Sequence, residues 1–124
     1  MKFLVVDDSP TMRRIVANTL KEIGYDSDPH GEAGDGAEAL ARLEADQYDC
    51  LITDWNMPNM NGLELTQAVR AHPTYANLPI LMVTTRGMKE DVIAAMKARV
   101  NNYVVKPFTP DVLRDKIETI LKYA

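Results

Sequence analysis

Five side chains that can do chemistry lie at the ends of four short apolar runs in this sequence. Asp7 and Asp8 follow the first run, and Asp54, Thr84 and Lys106 come at the ends of the others. Apolar runs separated by helical patterns predict buried parallel strands, and parallel sheets bind ligands beyond the carboxyl ends of their strands. We therefore expect three carboxylates, a hydroxyl and an ammonium to meet at one sheet edge. The four runs are residues 3–6, 51–52, 80–83 and 103–105.

The chemistry of such a cluster follows from its charges. Three carboxylates without a counter-charge repel each other, and a divalent cation would relieve that repulsion. Oxygen ligands with room for water favour Mg²⁺, which leaves positions open for phosphate oxygens. Lys106 would add a second positive charge. This combination suits a phosphoryl group, because an aspartate can attack phosphorus while cations neutralise the equatorial oxygens. The central Asp54 is the best candidate for the acceptor.

Each of these residues also has an ordinary structural explanation. Adjacent aspartates after a strand usually form a turn or a helix cap, a threonine there is commonly a turn residue, and a lysine is usually a solubilising charge. Their joint placement at four strand ends favours the site. Pro107 strengthens the case, because a Lys-Pro bond can be cis and so direct the Lys106 side chain.

Length and composition indicate one ordinary globular domain. The 124 residues are 46% hydrophobic and 26% charged, which suffices for one core and leaves no room for a second domain. A net charge of -4 argues against nucleic acid as a partner. Cys50 is the only cysteine, so we expect no internal disulfide and a thiol in the core. The first apolar run is too short for a signal peptide or a membrane span, which indicates a cytoplasmic protein without a membrane partner.

Five helical patterns alternate with the apolar runs. The first is expected to begin at a Ser9 cap, and the last at a Thr109 cap followed by a proline. This alternation predicts right-handed crossovers and a sheet covered on both faces. The residues expected to face the core are Met12, Val16, Leu20 and Ile23; Ala37, Leu40, Ala41 and Leu43; Leu63, Leu65 and Val69; Val92, Ile93 and Met96; and Val112, Leu113, Ile117, Ile120 and Leu121.

One segment departs from the alternation. Residues 25–35, where a second strand belongs, are almost entirely polar and include a proline. Short polar strands and prolines are tolerated mainly at a sheet edge, so we expect a stunted edge strand. A metal site from His30 with Asp26, Asp28 and Glu32 is conceivable, but the spacing imposes no geometry and a solvated acidic loop is the better interpretation.

Taken together, these residues resemble the receiver domains of response regulators. The matching motifs are Asp7-Asp8, Thr-Asp-Trp-Asn-Met-Pro at 53–58, Gly62, Thr84, and Tyr-Val-Val-Lys-Pro-Phe at 103–108. The resemblance extends over nearly the whole chain, and residues 11–16 and 54–60 are most similar to CheY-like single-domain chemotaxis regulators. It implies a flavodoxin-like, doubly wound α/β fold with five parallel strands in the order 2-1-3-4-5 and five helices. It also implies one receiver domain over residues 1–124 with no output domain.

The resemblance implies a role for each residue of the site. Asp54 would receive a phosphoryl group from the phosphohistidine of a histidine kinase, and Lys106 and Thr84 would hold phosphoryl oxygens. The implied groups around Mg²⁺ are Asp8, Asp54, the backbone carbonyl of Asn56 and, through water, Asp7. Such a protein is a phosphoacceptor of a phosphorelay and not an enzyme, although it carries self-phosphorylation and self-dephosphorylation chemistry.

For signalling, the resemblance implies a switch and a partner surface. Thr84 would move toward the phosphoryl group and Tyr103 would turn inward, so that a covalent anion shifts a two-state equilibrium. The implied partners are a CheA-like histidine kinase, a FliM-like flagellar motor switch protein that controls flagellar rotation and, as a further candidate, a phosphatase. The resemblance also implies that the regulator is a monomer. The positions matching the motor-binding surface are Lys89, Val92, Tyr103, Val105 and Lys116. Lysines and apolar residues would suit an acidic amphipathic peptide, whereas the alternative is an ordinary mixed surface.

Two arginines depart from the family pattern. Arg99 stands where the family generally has glycine after the fourth helix, and a left-handed conformation there would cost arginine about 1 kcal/mol or more. Arg86 lies near the phosphoryl site, where small or acidic residues are frequent, so it could pair with the phosphoryl group or with solvent. We expect Arg86 to alter the phosphoryl lifetime.

Other functions share parts of this pattern. An aspartate-nucleophile phosphatase usually spaces its two aspartates by one residue, whereas Asp7 and Asp8 are adjacent. A flavin-binding module would share the topology, but acidic residues after the first strand oppose a flavin phosphate. The sequence distinguishes poorly between a motor regulator and a receiver that serves as a phosphate sink or as an adaptor to another partner.

Overall fold

A five-stranded parallel sheet forms the centre of the computed structural model, which describes residues 1–25 and 30–123. The strands are β1 (Phe3–Val6), β2 (Gly31–Ala33), β3 (Cys50–Thr53), β4 (Ile80–Thr84) and β5 (Asn102–Val105). The helices are α1 (Pro10–Glu22), α2 (Gly36–Ala45), α3 (Gly62–Ala71), α4 (Lys89–Lys97) and α5 (Pro110–Tyr123). The strand order is β2-β1-β3-β4-β5, which confirms the flavodoxin-like, doubly wound prediction.

The strand register brings the predicted site residues to one edge. Val6 of β1 is paired with Thr53 of β3, so the residues that follow them leave the sheet at the same level. On the other side of β3, Thr84 of β4 is paired with Val105 of β5. The carboxyl ends of four strands therefore deliver their polar residues together.

The core forms two layers because successive strand residues point to opposite faces of the sheet. On one face, side chains such as Leu4 and Val6 pack with α2, α3 and α4. On the other face, Phe3 and Val5 pack with α1 and α5. Cys50 lies in this second layer, where burial, together with the charge of Asp49, raises the pKa of its thiol to about 12. None of the helices in the described ranges is long and apolar enough to cross a membrane.

The edge strand is as short as its polar sequence predicts. β2 has three residues and forms its ladder with β1 at one margin of the sheet. His30 precedes it and is held structurally, because its Nδ1 accepts the Phe3 N–H at 3.2 Å and its Nε2 lies 2.7 Å from the Tyr25 carbonyl oxygen. Asp26 and Asp28, which the conceivable metal site would need, lie outside the described residues.

The helix starts follow local capping chemistry. Ser9 Oγ accepts the Met12 N–H at 3.2 Å and Pro10 occupies the first turn, as predicted. Thr109 Oγ1 likewise accepts the Val112 N–H at 3.3 Å. Asn61 begins α3 with a capping box that includes Glu64.

The prediction that a residue faces the core is wrong at five positions in α2, α4 and α5, where the side chains are exposed. Ala39 and Ala95 are buried instead, because alanines allow these helices to lie close to the sheet. In α4 the apolar run from Val92 to Met96 covers more than half of the helix circumference, so its periodicity does not fix one face. The exposed residues are Ala37 and Ala41 of α2, Ile93 and Met96 of α4, and Val112 of α5.

Arg99 adopts the left-handed conformation that its position suggested. Its φ is +72°, immediately after the Ala98 cap of α4. The Arg99 carbonyl oxygen accepts a hydrogen bond from Arg70 Nε at 3.0 Å. Arginine therefore occupies a backbone position that glycine would adopt without a steric cost.

Candidate functional site

The acidic residues predicted to converge do lie together. Asp7, Asp8 and Asp54 each place a carboxylate oxygen within 4.8 Å of the others. Asp7 is buried, whereas Asp8 is exposed to solvent. In the part of the chain that the structure describes, no other group of three or more acidic, histidine or cysteine side chains has this spacing.

Asp7 is held by the edge strand and by α1. Its backbone N–H donates to the Ala33 carbonyl oxygen at 3.1 Å, and its Oδ1 accepts the Ser9 N–H at 2.9 Å. Arg13 donates from Nη1 to the Asp7 carbonyl oxygen at 2.6 Å and from Nε to Glu32 Oε1 at 3.0 Å. These contacts fix the backbone from which the acidic cluster projects.

Asp54 is fixed by the loop that follows β3. Its Oδ1 accepts the Trp55 N–H at 2.6 Å, and its backbone N–H donates to the Val6 carbonyl oxygen at 2.9 Å. Gly62 packs so closely that a Cβ there would overlap the Asp54 carbonyl oxygen. This explains why glycine lies at the start of α3.

Lys106 joins two of the three carboxylates. Its Nζ lies 2.8 Å from Asp7 Oδ2 and 3.1 Å from Asp54 Oδ2, and the side chains of Lys106, Asp7 and Asp54 are only 9%, 6% and 11% exposed. Burial alone would lower the pKa of Lys106, but its hydrogen bond to Asp7 and the charge of Asp54 outweigh burial and raise it. The Lys106–Pro107 peptide bond is cis. The lysine thus relieves part of the repulsion between the carboxylates, as the second positive charge that the sequence predicted beside a metal ion.

Thr84 is the last residue of β4, and Tyr103 is the second residue of the neighbouring strand β5. Thr84 is fully buried, and its Oγ1 accepts the Arg86 N–H at 3.3 Å. The Tyr103 side chain points inward, and its hydroxyl donates to the Arg86 carbonyl oxygen at 2.6 Å. Burial and the charges of Asp91 and Asp54 raise the pKa of Tyr103 to about 12, although the charge of Arg86 opposes the shift.

Arg86 is paired with protein groups. Its Nε donates to Asn56 Oδ1 at 3.0 Å, and its Nη1 lies 3.3 Å from Asp91 Oδ1. Its guanidinium carbon lies 4.8 Å from the centre of the Trp55 ring. The sequence placed Arg86 near the site but gave no signal for these partners, because they come from two other segments of the chain.

The predicted partner-binding residues are not equally accessible. Lys89 and Val105 are exposed, and Val92 and Lys116 are partly buried. Tyr103 is only 9% exposed and belongs to the core on the α4 side of the sheet. In this conformation, four of the five residues offer accessible surface.

Arg13 is a site residue that the sequence reasoning missed. It follows the Ser9 cap by four residues, which is about one helical turn, and so its side chain returns to the loop that carries Asp7. Helical spacing could have found this contact. Its second contact, with Glu32 of β2, depends on the strand pairing and was not visible in the sequence.

Comparison with known proteins identifies the family. The model for the response regulator receiver domain matches residues 3–118. The chain is 56% identical over 122 residues to chemotaxis protein CheY1 of Helicobacter pylori strain J99, which covers 98% of this chain and 97% of that protein. The chain belongs to the response regulator receiver-domain family. Within it, the chain is most simply described as a CheY-like receiver.

Solved structures of this family have the same fold. Chemotaxis response regulator CheY4 of Vibrio cholerae is 38% identical, with a TM-score of 0.85 over 96% of this chain and 97% of that one. The receiver domain of a sensor histidine kinase from Pseudomonas aeruginosa PAO1 is 26% identical, with a TM-score of 0.81 over 96% of each chain. The latter was solved with a magnesium ion coordinated in its active-site cleft.

The acidic cluster fits a magnesium ion by its chemistry. Receiver domains generally bind Mg²⁺ in an acidic pocket, and Mg²⁺ prefers oxygen ligands and keeps several waters. Asp7, Asp8 and Asp54 supply carboxylate oxygens, and the exposure of Asp8 leaves room for water. With Lys106 contributing one positive charge, the group of four side chains keeps an excess of negative charge that a cation can neutralise.

The hydroxyl of Tyr103 predicts how Tyr103→Phe changes the pH dependence of stability. At neutral pH, we expect the variant to lose about 1 kcal/mol, because the Arg86 carbonyl oxygen loses its donor. Folding raises the pKa of Tyr103 from its ordinary value of 10.0 to about 12. The contribution of the Tyr103 hydroxyl to stability is therefore complete below about pH 10 and is lost as the pH rises toward 12. Urea unfolding of both proteins should show their stability difference narrowing over that interval. If the difference in stability between the two proteins stayed constant over this pH range, the raised pKa of Tyr103 would be contradicted.

Proposed function

We propose that this chain is a two-component phosphoacceptor in chemotaxis that a histidine kinase phosphorylates on Asp54. The observation that carries the proposal is the Lys106 ammonium in contact with both Asp7 and Asp54, beside the exposed Asp8. The name of the Helicobacter pylori relative supports the chemotaxis assignment.

In this proposal, each side chain has one task in phosphoryl transfer. A carboxylate oxygen of Asp54 forms the new bond to phosphorus as the bond to the donor's nitrogen or oxygen breaks. Lys106 holds a phosphoryl oxygen after giving up its contact with Asp54, and the Thr84 hydroxyl donates to another. Asp8, Asp54, the Asn56 carbonyl and, through water, Asp7 would hold Mg²⁺, which would neutralise charge on the phosphoryl oxygens.

The proposed output is a shift between two conformations. When Asp54 carries the phosphoryl group, the Thr84 hydroxyl moves toward it and the inward position of Tyr103 is favoured. The exposed face around Lys89 and Val105 then binds a flagellar motor switch protein. To invert the populations almost completely, phosphorylation must favour the active conformation by about 5.5 kcal/mol. A covalent anion next to a buried lysine and a buried hydroxyl is a sufficient source of differential interaction.

The acceptor assignment predicts that the phosphoryl group is attached to Asp54 and that an aspartate outside the acidic site is not needed for labelling. With acetyl phosphate and Mg²⁺, the wild type and the control Asp115→Asn should each gain one phosphoryl group, because Asp115 lies exposed on α5. Asp54→Asn should stay unmodified, since an amide is a poor nucleophile. Intact mass spectrometry reads the result. If Asp54→Asn were labelled as fully as the wild type, the assignment of Asp54 as the acceptor would be wrong.

The output assignment predicts that phosphorylation tightens binding of an acidic amphipathic peptide from a motor switch protein by about 5- to 150-fold. Tyr103→Ala should lose most of that gain. Tyr48→Ala is the matched control, because Tyr48 precedes the amino end of the central strand β3, whereas the acidic site lies at the carboxyl ends of the strands. Fluorescence anisotropy of the labelled peptide measures both effects. A phosphorylated protein whose affinity does not change would instead be a phosphate sink or an adaptor to another partner.

A further inference from the structure

Arg86 links three separate elements of the fold around the acidic site. Its side chain contacts Trp55 and Asn56 in the loop after β3, and Asp91 in the first turn of α4. Its backbone carbonyl oxygen accepts the hydroxyl of Tyr103 from β5. One residue thus joins the loop that carries the acceptor to the helix of the proposed output face.

The first turn of α4 has no side-chain cap, although Val92 packs its end against the core. Met88 occupies the N-cap position, and this cap makes no side-chain hydrogen bond. Met88 is also 65% exposed. Its carbonyl oxygen accepts the N–H groups of Asp91 and Val92 at 3.0 and 3.1 Å. The contact of Arg86 with Asp91 therefore provides a polar tie between this uncapped turn and the rest of the site.

That tie is weak enough to be exchanged. The side chains of Arg86 and Asp91 are 41% and 20% exposed, and their closest charged atoms are 3.3 Å apart. Ion pairs of this kind change an equilibrium by about two- to fivefold. A stronger anion near Arg86 can therefore compete with Asp91 for the guanidinium.

Phosphorylation would create such an anion close by. The Asp54 carboxylate carries one negative charge, whereas a phosphoryl group carries about two and offers three strong acceptor oxygens. Arg86 stacks on Trp55, whose backbone N–H already holds Asp54 Oδ1 at 2.6 Å. The planar guanidinium is well suited to bind phosphoryl oxygens.

We propose that Arg86 is a positioning residue that ties the first turn of α4 to the acceptor loop, and that a phosphoryl group on Asp54 draws its guanidinium away from Asp91 and so loosens that turn. The inference rests on the proposed function, since it needs the phosphoryl group on Asp54. It adds an electrostatic route to α4 that is separate from the side-chain movements of Thr84 and Tyr103.

A double-mutant cycle on the exchange of two amides tests the tie itself. The proteins are the wild type, Arg86→Gln, Asp91→Asn and the double variant, and the amides of Asp91 and Val92 are followed by hydrogen exchange in NMR spectra. Each single change should speed exchange by about two- to fivefold, and the double variant should be no faster than either single variant. Arg114→Gln and Asp111→Asn form the control cycle, because that pair on α5 has the same 3.3 Å separation. The control changes should leave both amides of α4 unchanged.

A second measurement, with and without the phosphoryl group, tests whether Arg86 leaves Asp91 for that group. With excess acetyl phosphate and Mg²⁺, hydrogen exchange of the two wild-type amides should speed up by about two- to fivefold. The acceleration in Arg86→Gln should be clearly smaller, because that variant has no guanidinium for the phosphoryl group to draw away from Asp91. If Arg86 had only a structural role, the amides of Arg86→Gln would exchange faster than those of the wild type by the same factor with and without the phosphoryl group. The occupancy of Asp54 is read in parallel from the intact mass.

The outcomes separate the inference from the proposed function. If Asp54 is fully phosphorylated but wild-type exchange at Asp91 and Val92 is unchanged or slower, the inference is wrong and the phosphoacceptor function stands. Additive effects in the unphosphorylated cycle would also overturn the inference, because Arg86 and Asp91 would then act independently. If acetyl phosphate leaves Asp54 unmodified in the wild type, both proposals fail.

Discussion

The Lys106 ammonium between the carboxylates of Asp7 and Asp54 is the interaction on which the site depends. Both contacts are 3.1 Å or shorter, and the three side chains are almost buried. A buried carboxylate without a partner is strongly unfavourable, so the lysine makes this arrangement tolerable in the folded protein. It does not neutralise the cluster completely, because Asp8 contributes a third carboxylate. The remaining negative charge is what suits the edge of the sheet to a cation and, with that cation, to a phosphoryl group.

The rest of the fold serves to bring these charges together. Their backbones come from strand ends far apart in the sequence, and the pairing of β1 with β3 and of β4 with β5 sets their level. Arg13 and the short edge strand hold the loop of Asp7, while the close approach of Gly62 holds that of Asp54. Because the helices cover both faces of the sheet, the carboxyl edge is the part of the strands left open to a ligand. Fold and function are thus connected through strand register.

The sequence predicts the fold and the convergence of the site well, for a simple reason. Uniformly apolar strands such as β1, β3 and β4 have few alternatives to burial in a parallel sheet, and the polar residues at their ends then share one edge. The family motifs supply the strand order. Helix faces are less determined, because the apolar residues of α4 cover too wide an arc to distinguish Ala95 from Ile93. Side-chain pairs such as Arg86 with Asp91 depend on rotamers and on loop paths, which a pattern of residue types does not encode.

The central claim is that Lys106 supplies a counter-charge that competes with a divalent cation for the same acidic cluster. Calorimetric titration with Mg²⁺ tests it most directly in the wild type, in Lys106→Met, and in the control Lys2→Met, which alters a lysine paired with Asp46 away from the site. Removing the buried positive charge should tighten Mg²⁺ binding on the order of tenfold, whereas the control should bind as the wild type does. Unchanged or weaker binding by a folded Lys106→Met protein would contradict the account.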